Sequence, residues 1–203
     1  LYNIINREKS ASFLNTFLRQ YEDGGQLPIW ELCSNYTGCM IGYHVVSVIL
    51  DAYVKGVESP FYYDLFQAMK AVSNRDELGI PTFKEKGYIS AFVEAESVSK
   101  TLEYAYNDWC IAEMANIFND TNCANEYYQR AQYYKNIFNN QSGFMQPKTN
   151  GDWKKGFIPS EVNYNYTEAN SWQYSFFVPH DVTGLVGVHK GKDLFEKRLD
   201  QLF

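Results

Sequence analysis

One stretch of this chain gathers the side chains that chemistry requires. Tyr164-Asn165-Tyr166-Thr167-Glu168-Ala169-Asn170-Ser171-Trp172-Gln173-Tyr174, followed by Phe176-Phe177-Val178-Pro179-His180-Asp181, sets two carboxylates, an imidazole, amides and hydroxyls among aromatic rings. Thr167 is a favourable helix N-cap and Pro179 a natural stop, so the pattern predicts one short helix from about 168 to 177. Residues three and four apart share a helix face, which would align Glu168 with Ser171, Trp172 and Ser175. A carboxylate in a first helical turn complements the helix dipole and needs no other role. Beside Tyr166, Trp172 and Tyr174, however, that carboxyl would lose part of its hydration, which raises its pKa and suits it to donate a proton near neutral pH. Aromatic walls with converging amides are also what a sugar ring needs: an apolar face to stack on and fixed partners for its hydroxyls. Glu168 is thus the candidate catalytic residue, with Asn170, Trp172, Gln173, His180 and Asp181 as candidate substrate contacts.

The segment YTEANSWQYSFFVPHDVTGL resembles the corresponding part of glycoside hydrolase family 92, the calcium-dependent exo-acting α-mannosidases. The blocks GGQLPIWEL at 24–32, CMIGYHVVSVILDAYVKGV at 39–57 and ESVSKTLEYAYNDWCIAEMA at 96–115 agree with it in the same order, and RAQYYKNIFNNQSGFMQP at 130–147 agrees more loosely. The resemblance implies an all-α fold, part of an (α/α)6 toroid incomplete at both ends, with residues 1–203 a fragment of the helical catalytic domain. It implies inverting, calcium-dependent exo-hydrolysis of terminal α-mannosyl linkages, α-1,2 foremost, in mannose-containing glycans. Glu168 matches the family's general acid, and Trp30 and Glu31 move to the substrate-facing end. A periplasmic, cell-surface or secreted location in glycan-degrading bacteria follows from the same likeness. Where the family usually has Asn-Glu-Thr ahead of Cys-Met-Ile-Gly-Tyr-His, this chain has Asn35-Tyr36-Thr37-Gly38, and Phe144-Met145-Gln146-Pro147-Lys148 stands where Phe-Met-Arg-Pro-Arg is common. Both departures bear on the outer subsites and leave Glu168 in place.

A glycosidase needs a second carboxyl group, standing roughly 6.5 to 9.5 Å from the acid when the reaction inverts. The family's base is an aspartate in a Gly-Asn-Asp-Asp block beyond the acid, and the 203 residues contain no such block. Calcium takes about six to eight oxygen ligands. Most of those are expected outside this chain, and none is assigned within it. An alternative of a different class is a non-catalytic helical carbohydrate-binding module, in which the Glu168 cluster would be a lectin-like site.

Bulk properties narrow the field. A net charge of −6 with no basic stripe argues against a nucleic-acid partner. No run approaches the roughly 20 apolar residues of a membrane span. Aromatics at 17% suit a carbohydrate-handling surface. Leu1 is neither a start methionine nor the opening of a signal peptide, so the chain is expected to begin inside a longer one. Cys33, Cys39, Cys110 and Cys123 show no metal-ligand spacing and read as core or free thiols, with a Cys33–Cys39 bridge open in an oxidising compartment.

The elements that must position these groups read as helices separated by long, aromatic-rich loops. Phe13, Leu14, Phe17, Leu18 and Tyr21 mark an amphipathic helix ending at Gly24-Gly25. A Pro-containing turn then delivers Trp30 and Glu31 to a loop, although by residue type alone Trp30 reads slightly more as a core plug. Met40 to Val54 is apolar on almost every side and predicts a buried helix, with His44 and Asp51 as hydrogen-bonded core groups rather than a site. Pro60 to Val72 supplies another helix, 74 to 95 reads as a long loop, and 97 to 138 as a helical hairpin. The 139 to 165 loop leads into the Glu168 segment, and a last helix falls near 191 to 202. No dependable strand is visible.

Overall fold

Side-chain caps and left-handed glycines set the helix ends from the start of the chain. The Asn6 side chain accepts from the Lys9 amide at 3.0 Å, and Gly25, at φ 73°, returns its N–H to Tyr21. The computed structural model describes every residue except Ser34. Its helices are α1 (Tyr2–Ile5), α2 (Arg7–Gly24), α3 (Val45–Val54), α4 (Tyr62–Val72), α5 (Ile80–Lys86), α6 (Ser97–Ile117), α7 (Thr121–Ala131), α8 (Ser171–Tyr174), α9 (Val182–Val188) and α10 (Lys192–Asp200). A 3-10 turn covers Tyr133–Ile137. Three antiparallel strand pairs occupy the connections: β1 (Glu31–Leu32) with β2 (Asn35–Tyr36), β3 (Phe138–Asn139) with β4 (Phe144–Met145), and β5 (Lys148–Thr149) with β6 (Asp152–Trp153). The helical class expected from the sequence holds, with these hairpins as an addition. Two-residue strands are too short for alternation to reveal them.

The described residues divide into two compact units, Leu1–Arg75 with Asn107–Gln129, and Asp76–Tyr106 with Arg130–Phe203. In the first, α2, α3 and α4 pack on one another. Leu14, Val46, Ile49, Leu65, Phe66, Met69 and Ile111 fill its core. Tyr128 on α7 donates its hydroxyl to Glu113 and accepts from Asn116, both at 2.6 Å, which doubles α7 back along the end of α6 as the hairpin pattern predicts. Wholly buried Asp108 accepts from the Tyr43 hydroxyl at 2.5 Å, and Asp51 accepts from Asn3 while pairing with Lys55. Asp51 thus has structural partners, but its side chain is 42% exposed and not the core group the sequence suggested.

The helix expected at Met40 to Val54 begins only at Val45 and is not buried all round. Val46 and Ile49 are 0% exposed, whereas Val48 is 42% and Val54 71% exposed. An all-apolar sequence carries no mark of which face turns outward, and only packing decides it.

In the second unit, Phe83, Ile89, Leu102, Tyr104 and Tyr134 are the largest buried groups, with Phe83 edge-on to both Tyr104 and Tyr133. The stretch read as a loop from 74 to 95 contains α5, opened by Gly79 at φ 76° and closed by Gly87 at φ 71°. A Cβ at Gly79 would lie 2.9 Å from the Ile89 side chain, so this close approach needs glycine. The punctuating glycines and Pro81 that suggested a loop are the boundaries of a short helix. Gly184 and Gly187 hid α9 in the same way.

Two outcomes test this packing. Ile49→Ala should cost about 2–5 kcal/mol in urea unfolding, whereas Val48→Ala should stay within about 0.5 kcal/mol; equal losses would contradict the orientation of α3. Burial pushes the carboxyl of Glu103, on α6, up to about 7. A carboxyl that holds its proton more tightly when folded stabilises at low pH, and that contribution falls away as pH rises from the ordinary carboxyl range through the folded value. Glu103→Gln should therefore remove a decline on the order of 3 kcal/mol between about pH 4.5 and 8, and an unchanged pH profile would show that Glu103 is not the cause.

Candidate functional site

Glu168 does not stand on a helix. It sits at φ 52°, in the left-handed region, and α8 starts three residues later at Ser171. Thr167 does not cap it, because its hydroxyl is committed to Glu96 Oε1 at 2.8 Å. Asn170 takes that place in a reciprocal capping box: its side chain accepts from the Gln173 amide at 3.4 Å, and the Gln173 side chain accepts from the Asn170 amide at 3.2 Å. Asn170 also donates to the Ser160 carbonyl at 3.3 Å. The shared face of Glu168 with Ser171, Trp172 and Ser175 is thereby lost.

A left-handed residue other than glycine costs about 1–3 kcal/mol and persists where its surroundings over-determine it. Here the preceding residue is held at every polar atom. The Thr167 amide donates to Ser99 Oγ at 2.9 Å, its hydroxyl to Glu96, and its carbonyl accepts from the Tyr174 hydroxyl at 3.0 Å. The amides of Glu96 and Val98 donate to the carbonyls of Tyr164 and Asn165 at 2.5 and 3.1 Å. Residues 164–168 are therefore laced to the first turn of α6, with the exposed Glu168 side chain projecting from the lacing.

The rings expected to crowd Glu168 pack inward instead. Tyr166 is buried and donates to the Met145 carbonyl at 2.7 Å, which also accepts from Ser171 Oγ at 2.7 Å. Trp172 lies edge-on to Phe144 at 4.6 Å, with the Arg198 guanidinium 5.3 Å from its ring. Burial pushes the Tyr174 hydroxyl up, helped by nearby Glu103 and Glu96 and opposed by its bonds to Ser99 and Thr167, so it remains a hydrogen-bond donor at neutral pH. The ring left open near Glu168 in the chain is Tyr164, 89% exposed. Glu168 thus stands in the open rather than in an aromatic pocket of this chain.

His180 and Asp181 stand against the start of the 3-10 turn. His180 Nε2 is 2.9 Å from the Ala131 carbonyl, its ring stacks near Tyr106, and burial holds its pKa down. Asp181 caps α9 by accepting from the Gly184 amide at 2.8 Å and accepts from the Tyr134 hydroxyl at 2.8 Å. Burial raises its carboxyl, but Tyr134, Gly184, Gln132 and Lys135 outweigh that and hold it below the usual carboxylate range. Both residues are committed to local structure.

Trp30 and Glu31 belong to the other unit. Trp30 is 48% exposed rather than a core plug, and its carbonyl accepts from Thr37 Oγ1 at 2.8 Å beside the β1–β2 hairpin, where Glu31 is exposed. All four cysteines are free, so Cys33 and Cys39 are not bridged. Among the described residues no three His, Cys, Asp or Glu side chains come together as metal ligands, and no helix is long and apolar enough to cross a membrane. No cluster of three such carboxylate side chains is therefore available to a calcium ion among the described residues. Sequence reasoning missed Glu96 and Ser99, and no local signal marked them, since Glu96 lies just before α6 in a left-handed conformation.

The chain matches the model of the glycosyl hydrolase family 92 catalytic domain over residues 1–203. It is similar to the family GH92 α-mannosidase BT3965 from Bacteroides thetaiotaomicron, with 38% identity and a TM-score of 0.95 over 100% of this chain and 28% of that one. A structure of that mannosidase in complex with mannoimidazole aligns at 37% identity and a TM-score of 0.94. The family GH92 inverting mannosidase BT2199 from the same organism aligns at 32% identity and a TM-score of 0.90 over 95% of this chain and 27% of that one. An uncharacterized secreted glycosidase of the fungus Arthroderma benhamiae is 29% identical over 91% of this chain and 29% of its own length. The chain thus spans under a third of these relatives. With a family match along its whole length and a backbone that follows the solved mannosidases, the chain belongs to glycoside hydrolase family 92.

Proposed function

We propose that this chain supplies the proton donor of an inverting exo-α-mannosidase, with Glu168 as general acid toward terminal mannosyl linkages of glycans, α-1,2 foremost. The observation that carries the reading is the exposed carboxyl of Glu168 on a strained, fully tethered turn, inside a chain that matches the family along its whole length. Strain held in place by surrounding bonds is a common mark of functional positions. The acid protonates the departing glycosidic oxygen while a second carboxylate activates water on the opposite face of the sugar. That second carboxylate would come from outside these 203 residues.

The remaining assignments are proposals of the same kind. Tyr164 and Trp172 would offer ring faces or edges to the sugar, with Asn170 and Gln173 presenting the amide atoms their capping bonds leave over. His180 and Asp181 would serve the substrate through their neighbours, given how fully they are engaged. Exposure supports sugar contact by Trp30 and Glu31, considered within their own unit. The helices are proposed as part of an (α/α)6 toroid, and the protein as one exported to the periplasm, cell surface or medium. Calcium is kept as a proposal from the resemblance, with most of its ligands expected outside this chain, and no step above passes through it. The same surface could serve a lectin-like module; a lectin would keep mannose binding after Glu168→Gln and have no turnover to lose.

In an intact protein carrying this chain, Glu168→Gln should lower kcat by about 10²- to 10⁴-fold on mannosides with poor leaving groups and far less on activated aryl mannosides, because only the former need the proton. Equal losses would remove Glu168 from the acid role. The 203 residues alone should hydrolyse no mannoside measurably in a sensitive fluorogenic assay. Asp181→Asn should leave KM close to wild type but weaken stability above about pH 4, flattening the acid limb of the unfolding curve, since the depressed carboxyl stabilises above its unfolded pKa and loses that as pH falls through its folded value. A large KM increase with unchanged stability would place Asp181 in direct substrate contact.

A further inference from the structure

The Glu168 turn is tied to a buried cation. Lys100, in the first turn of α6, is 4% exposed, and its Nζ lies 2.5 Å from Glu94 Oε1 and 3.8 Å from Glu96 Oε2. An ammonium so deeply buried is retained when carboxylates meet it, and here it meets two. Glu94 would suffice as an ion-pair partner. Glu96 does more, because its other oxygen receives the Thr167 hydroxyl at 2.8 Å. Glu96 is itself left-handed, at φ 57°, as Glu168 is at φ 52°. One hydrogen bond thus joins a strained glutamate to the residue preceding another, and the chain between and around them is held by Ser99, Tyr174 and the Tyr164 and Asn165 carbonyls.

We propose that Lys100 and Glu96 are positioning residues that set the direction of the Glu168 carboxyl through Thr167, an inference that rests on the general-acid reading above. Lys100 holds Glu96 in place through their ion pair. Glu96 accepts from Thr167, and Thr167, fixed at amide, hydroxyl and carbonyl, restricts the backbone from which the Glu168 side chain projects. An exposed carboxylate would otherwise sample many directions, and proton donation requires one within hydrogen-bond reach of the leaving oxygen. Displacements of about 1 Å can cost about 10²-fold in rate.

The test uses an intact protein carrying this chain and two substrates, a mannobiose and an activated aryl α-mannoside. Thr167→Val removes the hydroxyl and keeps the shape. It should lower kcat on the mannobiose by about 10- to 100-fold with KM little changed, and barely affect the aryl mannoside. Thr167→Ser should restore the rate, Glu96→Gln should give the same leaving-group pattern, and Thr167→Val combined with Glu168→Gln should lose no more than Glu168→Gln alone. Equal losses on both substrates, additive losses in the double variant, or failure of both Thr167→Val and Glu96→Gln to fold would make the cluster merely structural and overturn the proposal, while Glu168→Gln still discriminated between the substrates. If Glu168→Gln itself failed to discriminate, the acid reading would fall first and the positioning role with it.

Discussion

Thr167 commits its amide, its hydroxyl and its carbonyl to three different groups, and the shape of the surrounding residues follows from that. Held between Ser99, Glu96 and Tyr174, it cannot serve as a helix cap, so the chain turns left-handed at Glu168 and the cap passes to Asn170. Helix α8 accordingly starts only at Ser171. The rings that follow are drawn toward Met145, Phe144 and Arg198 instead of toward the carboxyl. A residue chosen for proton donation by its neighbours in sequence thus gains its position from tethering and not from an aromatic enclosure within this chain.

Much of the second unit serves that tether. The residue before α6 and its first turn present Glu96 and Ser99, Lys100 balances the acidic side chains, and β4 supplies the Met145 carbonyl that gathers Tyr166 and Ser171. Asp181 and His180 hold the far end of the segment to the 3-10 turn region, through Tyr134 and Ala131. The loop around Glu168 is therefore tied down on both sides of the carboxyl, at Thr167 and at Asn170. Loops with this many committed backbone groups are unlike ordinary connectors, whose polar atoms face water.

What the sequence made legible divides along physical lines. Helices α2 and α4 lie where periodicity puts them, because burial of one face is written into residue spacing. Helices α6 and α10 also fall where expected, although α6 is buried nearly all round and α10 has no buried residue. The family was legible from ordered blocks, and the whole-length match agrees with it. The Glu168 helix was misread because Thr167 looks like a cap in isolation, and nothing in the local string reveals a competing acceptor 71 positions away. The plug reading that residue type alone slightly favoured for Trp30 fails, since a tryptophan's type says nothing of which way a hairpin turns it. α5 and α9 were hidden by glycines that bound or thread short helices.

The account stands on Glu168 as the group that meets the leaving oxygen. The most direct measurement is a crystal structure of an intact protein carrying this chain with a mannose-configured imidazole inhibitor bound. The account predicts the Glu168 carboxyl within about 2.6–3.2 Å, directly or through one water, of the inhibitor nitrogen that stands for the glycosidic oxygen. A Glu168 turned away from the ligand, with another carboxyl in that place, would contradict it.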